Sequence, residues 1–331
     1  MTRRFLAMVV RTAALLPILG AALCSTAGAQ DAFPTKPVTI VVGYPPGGPT
    51  DLYARAIAQG LSDLWHKPVV VDNKAGASGS IGAMQVLRAP ADGHTLLFTN
   101  NATNGAYELM NPKNTPYRTL KDFAPVGLFG VAPNLLVVRS SLPARNMQEF
   151  IALAKAKPGT ITYGSSAFGS APHLASELLQ EATGTKLLLV PFGGAGPLMQ
   201  ALVGGTVDMY IGGVSTVMEQ VRAGKLRALA ALHGSRLKAA PDVPTLAEQG
   251  IKGADYDSWY GLLAPAGVPA PLLDRINADV RKVMATKEIQ TKLDQFAIES
   301  FPASRVQFLQ VIKEEIDRSG DLIRKKNLTV E

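Results

Sequence analysis

A chain of 331 residues with one cysteine, four histidines and two tryptophans is short of the groups that several chemistries require. One thiol closes no intrachain disulfide, and Cys24 lies within the first 29 residues, so the rest of the chain has no thiol for a metal or a nucleophile. His66, His94, His173 and His233 are far apart, without an i, i+4 pair or an HExxH, and no metal site is expected. Neither GxGxxG nor a GKS or GKT loop occurs, so no nucleotide and no cofactor is expected. GxSxG is absent, as are closely spaced carboxylates of glycosidase type, and the chain is not expected to be an enzyme. Lysines and arginines are scattered, with no basic run between aromatics, which removes a nucleic-acid partner.

What is present starts at the N-terminus. Arg3 and Arg4 precede an apolar run from Thr12 to Leu23, and Ala27-Gly28-Ala29 follows, which is the order of an export signal cleaved after Ala29. The run is shorter than the roughly 20 residues that span a bilayer, so residues 1–29 are expected to be a Sec signal peptide ahead of a soluble chain. Bulky Leu23 before Cys24 speaks against lipid attachment. Removing Arg3, Arg4 and Arg11 takes the formal charge from +7 to +4, a mild field that favours anionic solutes.

About 300 remaining residues exceed what one core usually serves, so two lobes are expected. Short β-branched runs recur at 38–42, 69–71, 95–98, 135–138, 187–190, 209–211 and 226–232, each leading through a turn to a helix-period stretch. That alternation predicts α/β lobes, each a mainly parallel sheet flanked by helices. Ligands in such sheets sit at the carboxyl ends of strands, where helix starts present unpaired N–H groups.

The candidate binding residues are therefore the small and polar residues in those loops. The first loop offers Tyr44, Pro46, Gly47, Gly48, Thr50 and Asp51, with Pro49 and Thr50 as helix-start residues and a helix to Trp65 burying Leu52, Ala56, Leu61 and Leu64. The second offers Ala77 and Ser78, the third Thr99, Asn100 and Asn101. In the second half they are Ser165, Ser166, Gly169, Ser170 and His173, then Phe192, Gly193 and Gly194, and finally Asp208 at the next strand, which Ser215 follows as a candidate helix cap. Ser165 or Ser166 with His173 and Asp208 also leaves a periplasmic serine hydrolase open, because triads are defined by geometry and not by order.

Taken in order, the motifs carry a resemblance. They are Tyr44-Pro45-Pro46-Gly47-Gly48 with Asp51 and Arg55; Asn73 to Gly82; Leu120 to Val126; Tyr163-Gly164-Ser165-Ser166 with His173-Leu174-Ala175; Val190-Pro191-Phe192; Gly204 to Asp208; Ala223 to Leu229; and Trp259 to Pro269. This series resembles the substrate-binding proteins of tripartite tricarboxylate transporters, the Bug receptors, over nearly the whole chain beyond the signal. The resemblance implies a two-lobed periplasmic-binding-protein fold of Venus-flytrap type II. It implies a monomer that holds a small carboxylate between its lobes by backbone and hydroxyl groups and passes it to membrane transporter subunits. A solute-binding partner of a membrane sensor kinase is the other reading. Pro49, Gly196 to Gln200 and Asn100-Asn101 depart from the family pattern and alter the pocket wall. Lobe one is expected at 32–131 plus 252–331 and lobe two at 132–251, with crossovers near 126–138 and 257–263.

Overall fold

The computed structural model describes residues 33–165 and 169–329. The chain divides into two compact units, Met1–Lys36 and Pro37–Glu331, and both sheets belong to the second. The expected signal peptide, Cys24 and the candidate Ser166 lie outside the described residues.

In chain order the elements are β1 (Val38–Val42), α1 (Pro49–Trp65), β2 (Val69–Asn73), α2 (Ser80–Leu87), β3 (Thr95–Asn100), α3 (Tyr107–Met110), α4 (Thr119–Asp122), β4 (Phe123–Ala132), β5 (Asn134–Arg139) and α5 (Met147–Ala156). Then come β6 (Thr162–Ser165), α6 (Ala171–Thr183), β7 (Leu188–Pro191), α7 (Ala195–Val203), β8 (Met209–Gly213), α8 (Val214–Arg222), β9 (Leu226–Ala231), β10 (Ser258–Pro265), α9 (Ala270–Met284), α10 (Lys287–Gln295), β11 (Glu299–Ser300) and α11 (Arg305–Lys326).

The strands form two sheets, ordered β11-β4-β10-β3-β1-β2 and β7-β6-β8-β5-β9. Each sheet is mixed where the sequence suggested a mainly parallel one. β1 is parallel to β2 and β3, and β6 to β7 and β8, whereas β10 runs antiparallel to β3 and β4, and β5 antiparallel to β8 and β9. Two reversed strands, β5 and β10, are the first after the passages between sheets; β11, at the edge beside β4, is the third. Only Pro133 separates β4 in one sheet from β5 in the other, and the chain returns from β9 to β10 through 232–257. A strand that brings the chain in from the other lobe enters from the cleft side and must oppose the parallel set, whose carboxyl ends point there.

Strand composition explains the layers. Four of the five side chains of β1 are buried, with no polar alternation, as a strand covered on both faces requires. Pro49 at the first helical position starts α1 with its φ already set. Of the expected buried face of α1, Ala56 and Leu61 are buried, joined by Tyr53, Ala54 and Ile57, while Leu52 and Leu64 are 37% and 41% exposed. Tyr53 sets the helix rotation. Its hydroxyl donates to the carbonyl of Phe129 at 2.7 Å, and its ring meets Phe98 and Tyr260 edge-on at 5.3 and 5.7 Å, geometry that adds to the area it removes from water.

Candidate functional site

The carboxyl ends of the parallel strands from both sheets converge on a cavity of about 200 Å³. The first lobe supplies Tyr44 and Pro49 beyond β1, Asn100 to Ala102 beyond β3, and Ser258 and Tyr260 from β10. The second lobe supplies Ser170 to Pro172, Ala195, Tyr210, Gly213, Ser215 and Thr216, and the passage between sheets adds Ala132 and Asn134. Phe296 and Ile298 complete the wall.

Four helices begin at this cavity. Gly48, Ser170, Gly194 and Gly213 are the N-caps of α1, α6, α7 and α8, and each helix has a first-turn residue on the wall: Pro49, Ala171, Ala195 and Ser215. The first four N–H groups of a helix lack intrahelical partners and carry the positive end of its dipole. Among the described residues, no lysine, arginine, aspartate or glutamate lines the wall. The charge that the site is built to meet is therefore negative, and the groups meeting it are neutral donors.

The wall tyrosines remain donors at neutral pH. Burial raises the Tyr44 hydroxyl against its hydrogen bonds with Thr103 and Asn100, which lower it; burial raises Tyr210 far above its ordinary value, and Tyr260 is pushed up to about 12. None of the three ionises near pH 7.

The Tyr44 loop is held from behind. Tyr44 Oη lies 3.1 Å from Asn100 Oδ1, 2.9 Å from Thr103 Oγ1 and 3.2 Å from the carbonyl of Ser78. Ala77 and Ser78 take positive φ values of 47° and 50°, which turn that carbonyl toward the tyrosine. Asp51, 1% exposed, accepts from Gly47 N and Asn73 Nδ2 at 2.9 Å and from Arg55 Nε at 3.0 Å. Burial pushes its carboxyl up, but these hydrogen bonds prevail and hold it below the usual carboxylate value.

The candidate residues thus divide into wall and support. Tyr44, Asn100, Asn101 and Ser170 line the cavity, while Gly48 and Gly194 serve as helix N-caps beside it. Pro46, Gly47, Gly193 and Phe192 are in the flanking loops and off the wall. Thr50, Asp51, Thr99, Ser165 and His173 are buried, and Ala77, Ser78 and Gly169 join them as loop-shaping residues. Thr99 Oγ1 donates to Asn104 Oδ1 at 2.5 Å, Ser165 Oγ pairs with Ser170 Oγ at 3.0 Å, and His173 Nδ1 accepts from Gly169 N at 3.0 Å.

Asp208 is a correction. It precedes β8 at the end of the sheet away from the cavity, where its carboxylate accepts from Thr162 N and Oγ1 at 2.9 Å and from Arg139 Nε at 2.8 Å. Thr162 opens β6 and Ser165 closes it, roughly 10 Å along the strand at 3.3 Å per residue. Asp208 therefore orients no histidine beside Ser165, and the triad that the sequence left open lacks its acid.

Sequence reasoning missed Asn134, Tyr210, Ser258, Tyr260, Phe296 and Ile298, and treated Ser215 as a cap when it is the second residue of α8. The strand-end rule that found Asn100 also reaches Ser215 and Thr216 beyond β8. Ser258 and Tyr260 had no such signal, because β10 is antiparallel and presents its amino end to the cavity.

Two histidines flank the site with opposite tendencies. His233 Nδ1 is 2.8 Å from Asp257 Oδ2 and its Nε2 is 3.6 Å from Glu299 Oε2; the Asp257 hydrogen bond raises its pKa, with burial opposing and Glu299 and Asp255 adding. Burial lowers His173, with Glu177 opposing. In a histidine-resolved NMR titration, His233 is expected to protonate above pH 6.5 and His173 below it. By linkage, the His233 contribution to stability is full below pH 6.5 and lost as pH rises through its folded value, whereas that of His173 is present above pH 6.5 and lost as pH falls. Coincident midpoints would contradict both assignments.

A family model described as "Tripartite tricarboxylate transporter family receptor" matches residues 53–328. BugT of Bordetella pertussis is 34% identical over 316 residues, which cover 94% of this chain and 97% of BugT. The structure of R. palustris Rpa4515 with adipate is similar at a TM-score of 0.80 and 32% identity, covering 88% of this chain and 97% of that one. MatC (Rpa3494) from Rhodopseudomonas palustris with bound malate is similar at a TM-score of 0.78 and 33% identity, covering 88% and 100%.

Proposed function

The chain belongs to the tripartite tricarboxylate transporter receptor family, and from that premise we propose that it captures a small carboxylate between its lobes and delivers it to membrane subunits of a transporter of that type. The observation that carries the reading is the convergence of four helix starts on a cavity wall without a charged side chain. A carboxylate accepts from several N–H and O–H groups at once, and preorganised donors at helix N-termini hold it without a buried cation. The relatives that bind adipate and malate support the same solute class.

The working form is a periplasmic monomer released from a signal peptide at 1–29. Lobe one comprises 32–131 and 252–331, and lobe two 132–251; the change of sheet between β4 and β5, at Pro133, supports a boundary there. Leu322 and Ile323 of α11 and Ala106 and Met110 at α3 belong to the core cluster of the second sheet, so the two lobes are joined by packing as well as by the chain passages. Closure of one lobe on the other is the motion that would enclose the solute. No catalytic step is assigned: Ser165 Oγ pairs with Ser170, and Asp208 braces the far end of its sheet.

A thermal-shift panel of C4 dicarboxylates, citrate, aromatic acids, amino acids and neutral amides tests the reading. A solute at a hundred times its Kd adds about 2.7 kcal/mol to the folded state, or about 4 °C for a chain of this size. At least one carboxylate is expected to give that shift, and its diamide or methyl ester is not. A shift by a sugar or a cation with none by any acid overturns the carboxylate reading.

A further inference from the structure

Asn100 closes β3 on the cavity wall, 9% exposed, and its amide cannot be turned over. Its Oδ1 accepts from Ala102 N at 3.1 Å, from Thr103 N at 3.2 Å and from Tyr44 Oη at 3.1 Å. Two backbone N–H groups can only donate, so the atom facing them is the oxygen. The Nδ2 group has no partner among the described residues. Asn100 therefore offers the cavity one polar group, a pair of N–H donors on a carbonyl already saturated by the loop.

The neighbouring groups offer a cation no charged partner. Asn101 Nδ2 donates to the carbonyl of Asp257 at 3.1 Å, and its Oδ1 is buried without a partner among the described residues. No carboxylate stands on the wall to receive a cation. An ammonium placed at this pole would exchange water for N–H donors and an uncharged wall, and an unpaired buried charge is costly. An oxygen placed there completes the hydrogen bonding of Asn100.

We propose that Asn100 is a specificity-determining residue that takes a hydrogen-bond-accepting oxygen at the lobe-one end of the solute and rejects an ammonium there. This rests on the carboxylate reading for the other end, where α6, α7 and α8 begin.

Isothermal titration with matched solutes tests it. The set comprises straight-chain dicarboxylates of four to eight carbons, their half-amides, the ω-amino acids and the monocarboxylates of the same length, with the corresponding neutral diamides and the diamines as acid-free counterparts. The native protein is expected to bind the dicarboxylate and the half-amide at least about tenfold more tightly than the ω-amino acid. Asn100→Asp keeps an oxygen for Ala102 N and Thr103 N and replaces the donor by an acceptor, so the order is expected to invert, with the ω-amino acid favoured. Should that variant fold poorly, the native ranking alone decides.

Equal affinity for dicarboxylate and ω-amino acid overturns the assignment, as does an unchanged order in folded Asn100→Asp or no binding by any member of the set. If diamides bind and diamines do not while every acid fails, the carboxylate reading falls and the role of Asn100 stands.

Discussion

Ser170→Asp is expected to weaken binding of the anionic solute by at least a hundredfold while leaving the protein folded. Ser170 is the N-cap of α6 and sits on the cavity wall, with its hydroxyl on Ser165 Oγ and not on the helix. Aspartate caps a helix as well as serine does and is favoured by the dipole, so the substitution leaves α6 intact. It nevertheless places a negative charge where α6, α7 and α8 converge, on a wall with no lysine or arginine to neutralise it. Like charges juxtaposed on closure cost several kcal/mol, and a hundredfold loss is about 2.7 kcal/mol. Ser170→Asn, neutral and of similar size, is expected to retain affinity within about threefold. Calorimetric titration of both variants with a carboxylate that stabilises the native protein is the measurement. Undiminished binding by Ser170→Asp, or an equal loss in Ser170→Asn, would show that the anion does not sit at these helix starts.

Gly43→Ala is expected to give the largest loss of stability of any one-carbon change near the site. A Cβ at Gly43 would lie 2.5 Å from Gly79 Cα and 2.6 Å from the Gly79 carbonyl oxygen, contacts with backbone that no rotamer relieves. Gly82 crowds the same point, since a Cβ there would stand 2.9 Å from Gly43 Cα. Gly79 is itself fixed, with φ at +92° and Thr103 Oγ1 at 2.3 Å from where a Cβ would project. Separating these loops would disturb the Tyr44, Ser78 and Thr103 hydrogen bonds that shape the lobe-one wall. A loss of about 3 kcal/mol follows from overpacking of this kind, or about 5 °C in Tm. Gly47→Ala serves as the control: nothing lies within 4 Å of its Cβ, so only its positive φ of 84° opposes the change, a cost of about 1 kcal/mol. If the two variants melt together, the close approach of the loops is not what holds them.

How far the site could be read from the chain varies from loop to loop. Pro49 announced a helix start that the structure contains, because proline preferences act within a few residues. Asn100 and Asn101 were found because strand ends point to one edge of a parallel set. Thr99 was grouped with them, yet alternation along β3 turns its hydroxyl inward to Asn104, while Asn100 pairs with Tyr260 at the wall. Asp208 failed differently: its motif places it before β8, and only the pairing of β6 with β8 shows that Thr162 and Arg139 hold it at the far end.

The sequence by itself determined the α/β class, the family, and the loops in which ligand-facing residues would lie, since each depends on local periodicity, turn chemistry and the order of motifs. The tertiary structure decided which residues of those loops line the cavity. It inserted β10, from the far end of the chain, between β3 and β4 and so brought Ser258 and Tyr260 beside Asn100. It also set the mixed sheets, the rotation of α1 about Tyr53, and the donor that Asn100 keeps for the cavity. The physical reason is common to all of these: the partner that saturates a polar side chain, or the surface that buries an apolar one, lies tens of residues or more away, and local preference carries no information about it.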